Sequence, residues 1–100
     1  MLIIHTTAPS KKEARYLIKL LLEARLIACA QFCKIQSHYI WEGAIAKERE
    51  YLLILKSDNA HYERIEQLLL ANHSYETPQI IAYEAKASAP YEQWLLSALG

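Results

Sequence analysis

Apolar positions along the chain alternate between strand-like runs and helix-like spacings, and the changes of period divide it into successive elements. Leu2-Ile3-Ile4 opens a short apolar run that Ala8-Pro9 closes, which suits a buried strand better than a helix. Ser10-Lys11-Lys12-Glu13 then spells a capping box: the Ser10 hydroxyl accepts the third backbone N–H while Glu13 reaches back, so a helix starts there. Ala14, Leu17, Ile18, Leu21 and Leu22 recur at helical spacing and leave Lys12, Arg15, Lys19 and Glu23 largely on the other face. From Ile27 to Ile40 there is no Gly or Pro, and the β-branched and aromatic content predicts one long strand, with Gly43 marking the following turn. Tyr51 to Lys56 reads as a third strand whose Leu52-Leu53-Ile54-Leu55 is apolar on both faces, as expected of a central position. Asp58 or Asn59 caps a second helix with the stripe Tyr62, Ile65, Leu68 and Leu69, and Asn72, tolerant of the left-handed conformation, ends it. Gln79 to Lys86 supplies a fourth strand, and Pro90 opens a terminal helix carrying Trp94, Leu95, Leu96 and Leu99.

The order β-α-β-β-α-β plus a terminal helix predicts a single α+β domain over 1–100, a ferredoxin-like sandwich with both main helices on one face of an antiparallel sheet. The other sheet face then lacks cover. The second and third strands project beyond the core as a hairpin around Tyr39 and Trp41, an arrangement that invites pairing with another chain. Composition points the same way. Hydrophobic residues make up 53% of the 100 residues, against roughly 45–50% in an average domain, so part of that surface is expected to need a partner.

Eleven Lys and Arg balance eleven Asp and Glu, leaving no net field to recruit nucleic acid or an anionic membrane. Cys29 and Cys33 lie on one predicted strand about 13 Å apart, too far to bridge, and read as reduced thiols. The opening residues are too short and uncharged for a signal peptide, and no apolar run reaches membrane-spanning length, so a cytoplasmic protein is expected.

Two polar and aromatic segments carry the candidate chemistry: Ser37 to Gly43 and His73 to Pro78. His73 with Glu76 offers either half of a divalent-metal site or an acid–base pair, and three copies of one His could meet on a threefold axis. The structural alternative is a loop whose His and Glu satisfy backbone groups near the helix end. Cys29 offers a soft copper ligand or a redox-sensitive thiol, against the plainer role of a small apolar residue. Tyr39 and Trp41, two apart on a strand, point to one face as anchors for a neighbouring subunit. Lys56, Tyr75 and Glu76 are expected to border the same groove, a between-subunit pocket suited to an anionic or polar ligand. No nucleophile–base pair and no Gly-rich phosphate loop occurs, which favours binding over catalysis. The alternative is a small enzyme using His73 and Glu76 in a between-subunit cleft.

Six segments in order, Thr7-Ala8-Pro9, Ala28-Cys29, Ser37-x-Tyr39-x-Trp41-x-Gly43, Glu50 to Lys56-Ser57, His73-x-Tyr75-Glu76-x-Pro78 and Tyr91-x-x-Trp94, make the chain resemble the CutA1 divalent-cation tolerance family. The resemblance implies a homotrimer of ferredoxin-like subunits joined by strand pairing across boundaries, with Cys29 and Trp94 also near the shared pocket or interface. It also implies a link to tolerance of copper and other divalent metals, with Cu(II) or another divalent ion as a weak ligand. Ser74 and Gln79 depart from the family's usual residues, as does Thr6 where some relatives carry Cys.

Overall fold

The computed structural model describes residues 1–100 as β1 (Leu2–Ala8), α1 (Lys11–Glu23), β2 (Cys29–Trp41), β3 (Ala44–Ser57), α2 (Tyr62–Asn72), β4 (Ile80–Glu84) and α3 (Ala89–Ala98), with a 3₁₀ turn at Asn59–His61 before α2. One sheet of order β2-β3-β1-β4 runs antiparallel throughout, which is the ferredoxin-like α+β topology. Ser10 Oγ accepts from the Glu13 N–H at 3.1 Å, half of the predicted capping box, while the Glu13 carboxylate accepts from the Ser74 N–H instead of reaching back. Asp58 Oδ1 accepts from the His61 N–H at 3.2 Å and so caps the 3₁₀ turn, and α2 itself starts at His61 without a side-chain cap.

Register sorts the side chains. Leu2, Ile4 and Ala8 of β1 pair with Ser57, Leu55 and Tyr51 of β3, so these residues share one face. On that face they meet Ala14, Leu17 and Leu21 of α1 and Ile65 and Leu69 of α2 in the main core. Ser57 is buried there without penalty, because its hydroxyl donates to the Leu26 carbonyl at 2.6 Å. Ile3 and Leu95 are the two buried apolar residues outside this cluster. The helix α3 is tied to the opposite face, where the Lys56 ammonium donates to the Tyr91 hydroxyl at 3.4 Å.

Four expectations need correction. The helix α1 buries Ala14, Leu17 and Leu21 but leaves Leu22 exposed, so the stripe is narrower than its apolar residues. Asn72 remains helical and donates to the Leu68 carbonyl, while His73 at the cap is extended. The strand β4 is shorter than predicted, Ile80–Glu84. The strand β3 is far longer, beginning at Ala44 instead of Tyr51: Lys47-Glu48-Arg49-Glu50 looks like a solvated loop in sequence, yet each residue pairs with β2.

Trp41 pairs with Ala44 across a two-residue loop in which Glu42 and Gly43 have φ of 51° and 79°. Both values belong to a type I′ turn, whose twist matches that of the flanking strands. A Cβ on Gly43 would touch nothing, so Gly43→Ala isolates the backbone cost of the left-handed conformation, about 1 kcal/mol. Denaturant midpoints of the two proteins at equal concentration check this; equal midpoints would contradict the turn geometry.

Candidate functional site

The pairing of β1 with β3 stops at Ala8 and Tyr51, while β3 continues to Ala44 with only β2 beside it. The hairpin therefore overhangs the end of β1, and the molecule stretches to 45 Å along its longest axis. Beneath the overhang, the segment after α2 crosses to the sheet face opposite the main core. The Tyr75 hydroxyl there donates to Glu50 Oε1 at 2.8 Å. The result is a cleft of about 610 Å³, lined by Thr7 from β1, Ser37, His38, Tyr39 and Trp41 from β2, Ala46, Glu48 and Glu50 from β3, and Tyr75, Glu76, Thr77 and Gln79 from the crossing segment. Both sequence segments singled out for their chemistry thus converge on one site.

His73 fixes this segment in place. Its side chain is fully buried. The Tyr75 N–H donates to Nδ1 at 3.1 Å, which assigns the proton to Nε2, and Nε2 donates to the Thr7 carbonyl at 2.7 Å. Glu13 Oε2 lies 3.5 Å from Nδ1 and also accepts from the Ser74 N–H at 3.1 Å. With both ring nitrogens engaged, His73 presents no lone pair to an ion and no proton to the cleft. Glu76, by contrast, is exposed and lines the cleft without a hydrogen bond to His73. The structure does not bring the two together as a half-site, and no group of three His, Cys, Asp or Glu side chains within one chain could hold a metal ion.

Two phenols of the cleft, Tyr75 and Tyr39, are perturbed. Burial, and then the hydrogen bond to Glu50, push the Tyr75 hydroxyl well above the ordinary tyrosine range. The hydrogen bond to Glu48 raises that of Tyr39. The Tyr75 phenol is held as a donor to the Glu50 carboxylate. The charges around them are segregated by the pleat: Glu48 and Glu50 point to the cleft, while Lys47 and Arg49, alternating with them, belong to the opposite face. No Lys or Arg lines the cleft. The lining of one chain brings three carboxylates, Glu48, Glu50 and Glu76, and one imidazole, His38.

Lys56, Cys29 and Trp94 lie elsewhere in the subunit. Cys29 pairs with Lys56 on the sheet, six residues along β3 from Glu50, and the Lys56 ammonium sits 5.4 Å from the centre of the Tyr91 ring. Tyr91 in turn packs on Trp94 at 5.5 Å between ring centroids. Within one chain, then, Lys56 does not border the groove of Tyr75 and Glu76: the run of β3 between them, about 20 Å at strand rise, separates the two sites. Glu48 and Glu50 are the charged cleft residues to which sequence reasoning gave no site role. Their signal was the alternation of acid and base along 47–50, which reads as a strand once a partner strand is supplied.

Comparison with known proteins bears on the whole chain. The family model described as CutA1 divalent ion tolerance protein matches residues 2–98. The divalent-cation tolerance protein CutA of Pyrococcus horikoshii is 34% identical over 97 residues, spanning 96% of this chain and 95% of that protein. The crystal structure of CutA1 from Pyrococcus horikoshii superposes with a TM-score of 0.96 at 32% identity, covering 100% of this chain and 99% of that one. A structure described as the periplasmic divalent cation tolerance protein CutA from Archaeoglobus fulgidus gives 0.95 at 33% identity, covering 98% of each chain.

Proposed function

Because this chain belongs to the CutA1 family of divalent ion tolerance proteins, we propose that it serves divalent-metal tolerance as a non-enzymatic homotrimer whose binding site is the cleft under the β2–β3 overhang. The observation that carries the binding reading is Glu50, only 7% exposed yet lining an open cleft, with Tyr75 as its sole hydrogen-bond donor. Trimer formation is supported by the hairpin, which has unpaired backbone along the whole outer edge of β2 and along β3 from Ala44 to Glu50. Ile40 and Ile45, facing each other near its tip, are 70% and 72% exposed, as befits a surface awaiting a partner. An acid–base enzyme finds no comparable support, since His73 spends both nitrogens on the backbone.

No helix is long and apolar enough to cross a membrane. Two free cysteines, one of them exposed, fit a reducing cytoplasmic setting.

Copper is a weak ligand in this reading. The exposed carboxylates Glu48 and Glu76 are hard oxygen donors that supply too few bonds within one chain for a tight transition-metal site. Calorimetric titration with Cu(II), Cu(I) and Zn(II) is expected to give weak heats that His73→Ala leaves unchanged and Glu76→Gln diminishes. A tight Cu(II) site abolished by His73→Ala would reverse this account. Loss of the protein should also lower growth under a divalent-metal challenge.

A further inference from the structure

We propose that His61 is a pH-sensitive latch: as an imidazolium it holds the segment after α3, Leu99–Gly100, against the body of the subunit, and as a neutral ring it lets that segment go. Both of its ring nitrogens face oxygens that can only accept. Nδ1 meets the Asp58 carboxylate, and Nε2 lies 2.8 Å from the Gly100 carbonyl oxygen. A neutral imidazole carries a single N–H, so only the doubly protonated ring satisfies the two contacts together. On losing one proton the ring keeps the one that faces Asp58, because a hydrogen bond to a charged carboxylate is the stronger of the two. Nε2 then turns a lone pair toward the Gly100 oxygen, and attraction becomes repulsion.

Gly100 has one other tie, its N–H donating to the Arg25 carbonyl at 3.0 Å. Arg25 sits in the turn after α1 with φ of 57°, and a Cβ on Gly100 would come within 2.8 Å of the Arg25 Cβ, so the segment fits there only as glycine. Leu99–Gly100 therefore joins the end of α3 to the turn after α1 and to the 3₁₀ turn that leads into α2. Four charged groups surround the latch. Asp58 favours the imidazolium, Arg64 in the first turn of α2 opposes it, Arg25 lies across Gly100, and Glu84 is already engaged by Asn59 and the Met1 amino group. The hydrogen bond to Asp58 is the largest influence and holds the ring above its ordinary value of 6.5. The latch is thus closed below pH 6.5 and opens as the pH rises through the higher folded value, taking with it the stability that the contact supplies. Opening loosens the anchor of α3, the helix on the far face of the sheet.

Nuclear magnetic resonance on the full chain, followed across the range in which histidine titrates, tests the proposal. The His61 ring should titrate with a midpoint above 6.5. Over the same interval the order parameter of the Gly100 N–H should fall from about 0.85, the rigid range, to below about 0.6. Asp58→Asn keeps an oxygen to cap the turn but removes the charge, so the fold is retained while the ring's midpoint and the release of Gly100 both move to lower pH. His61→Ala should leave Gly100 mobile at every pH. A parent midpoint at or below 6.5 overturns the latch, as does a Gly100 equally ordered on both sides of the His61 transition. Asp58→Asn titrating like the parent removes the carboxylate from the account and the latch with it. An ordered Gly100 in folded His61→Ala would show that Arg25 alone holds the segment, and would reject the proposal.

Discussion

The double variant Ile40→Asp/Ile45→Asp is expected to sediment as a monomer at micromolar concentration where the parent chain sediments as a trimer. The two residues face each other across the hairpin beside the turn, on the face that carries Phe32 and Leu53 lower down, but the body of the subunit does not reach them. Both are largely exposed in a single chain, so two carboxylates there cost one subunit almost nothing. In an assembly that closes around the hairpin they would be desolvated without partners, at several kcal/mol for each charge. A cost of that size, repeated by symmetry at every interface, exceeds the surplus of an ordinary association. Analytical ultracentrifugation alongside far-ultraviolet circular dichroism separates dissociation from unfolding. A variant that stays trimeric with unchanged stability would show that the overhang is not the contact surface, and the proposed assembly would have to be rebuilt around another one.

The second large effect is internal. Leu17→Ala should lower the free energy of unfolding by about 2–5 kcal/mol, the range for removing a fully buried leucine from a core that collapses only partly. Leu22→Ala, five residues later on the same helix, should cost less than about 1 kcal/mol because that side chain is already in water. The contrast matters more than either value, since it tests which way α1 is turned. Measurements belong at one fixed protein concentration, because association adds to apparent stability. Equal losses at both sites would mean that α1 sits rotated, or that Leu22 is covered in the assembly.

Leu22 also shows why sequence reading ran out where it did. Helical spacing gave the right face of α1 at Ala14, Leu17 and Leu21, since only residues on the sheet side recur so regularly. It could not say that the stripe ends there, because exposed leucines are common and leave no mark in the pattern. The long β2 was readable from its β-branched run and from the lack of breakers. Its partner was not, because Lys47-Glu48-Arg49-Glu50 has no apolar residue to signal a strand and is held by pairing with β2 alone. The site followed the same divide. Tyr39, Trp41, Tyr75 and Glu76 were all named from the sequence, and all four line the cleft. Lys56 was grouped with them as the border of a between-subunit groove; within one chain strand geometry places it six residues along β3 from Glu50, beside Cys29. The role of His73 was hidden for a different reason: which groups its two nitrogens meet depends on how α2 approaches β1, a tertiary fact.

The Glu42–Gly43 turn sets the phase of everything beyond it. A pleated strand inverts its two sides when it slides by one step, so a slip of β3 at this corner would swing Glu48 and Glu50 outward and carry Leu53 and Leu55 out of the core with them. The acid wall of the groove and the leucines under the helices are thus locked to one phase, and a residue added at the corner has to bulge outward instead of shifting the strand.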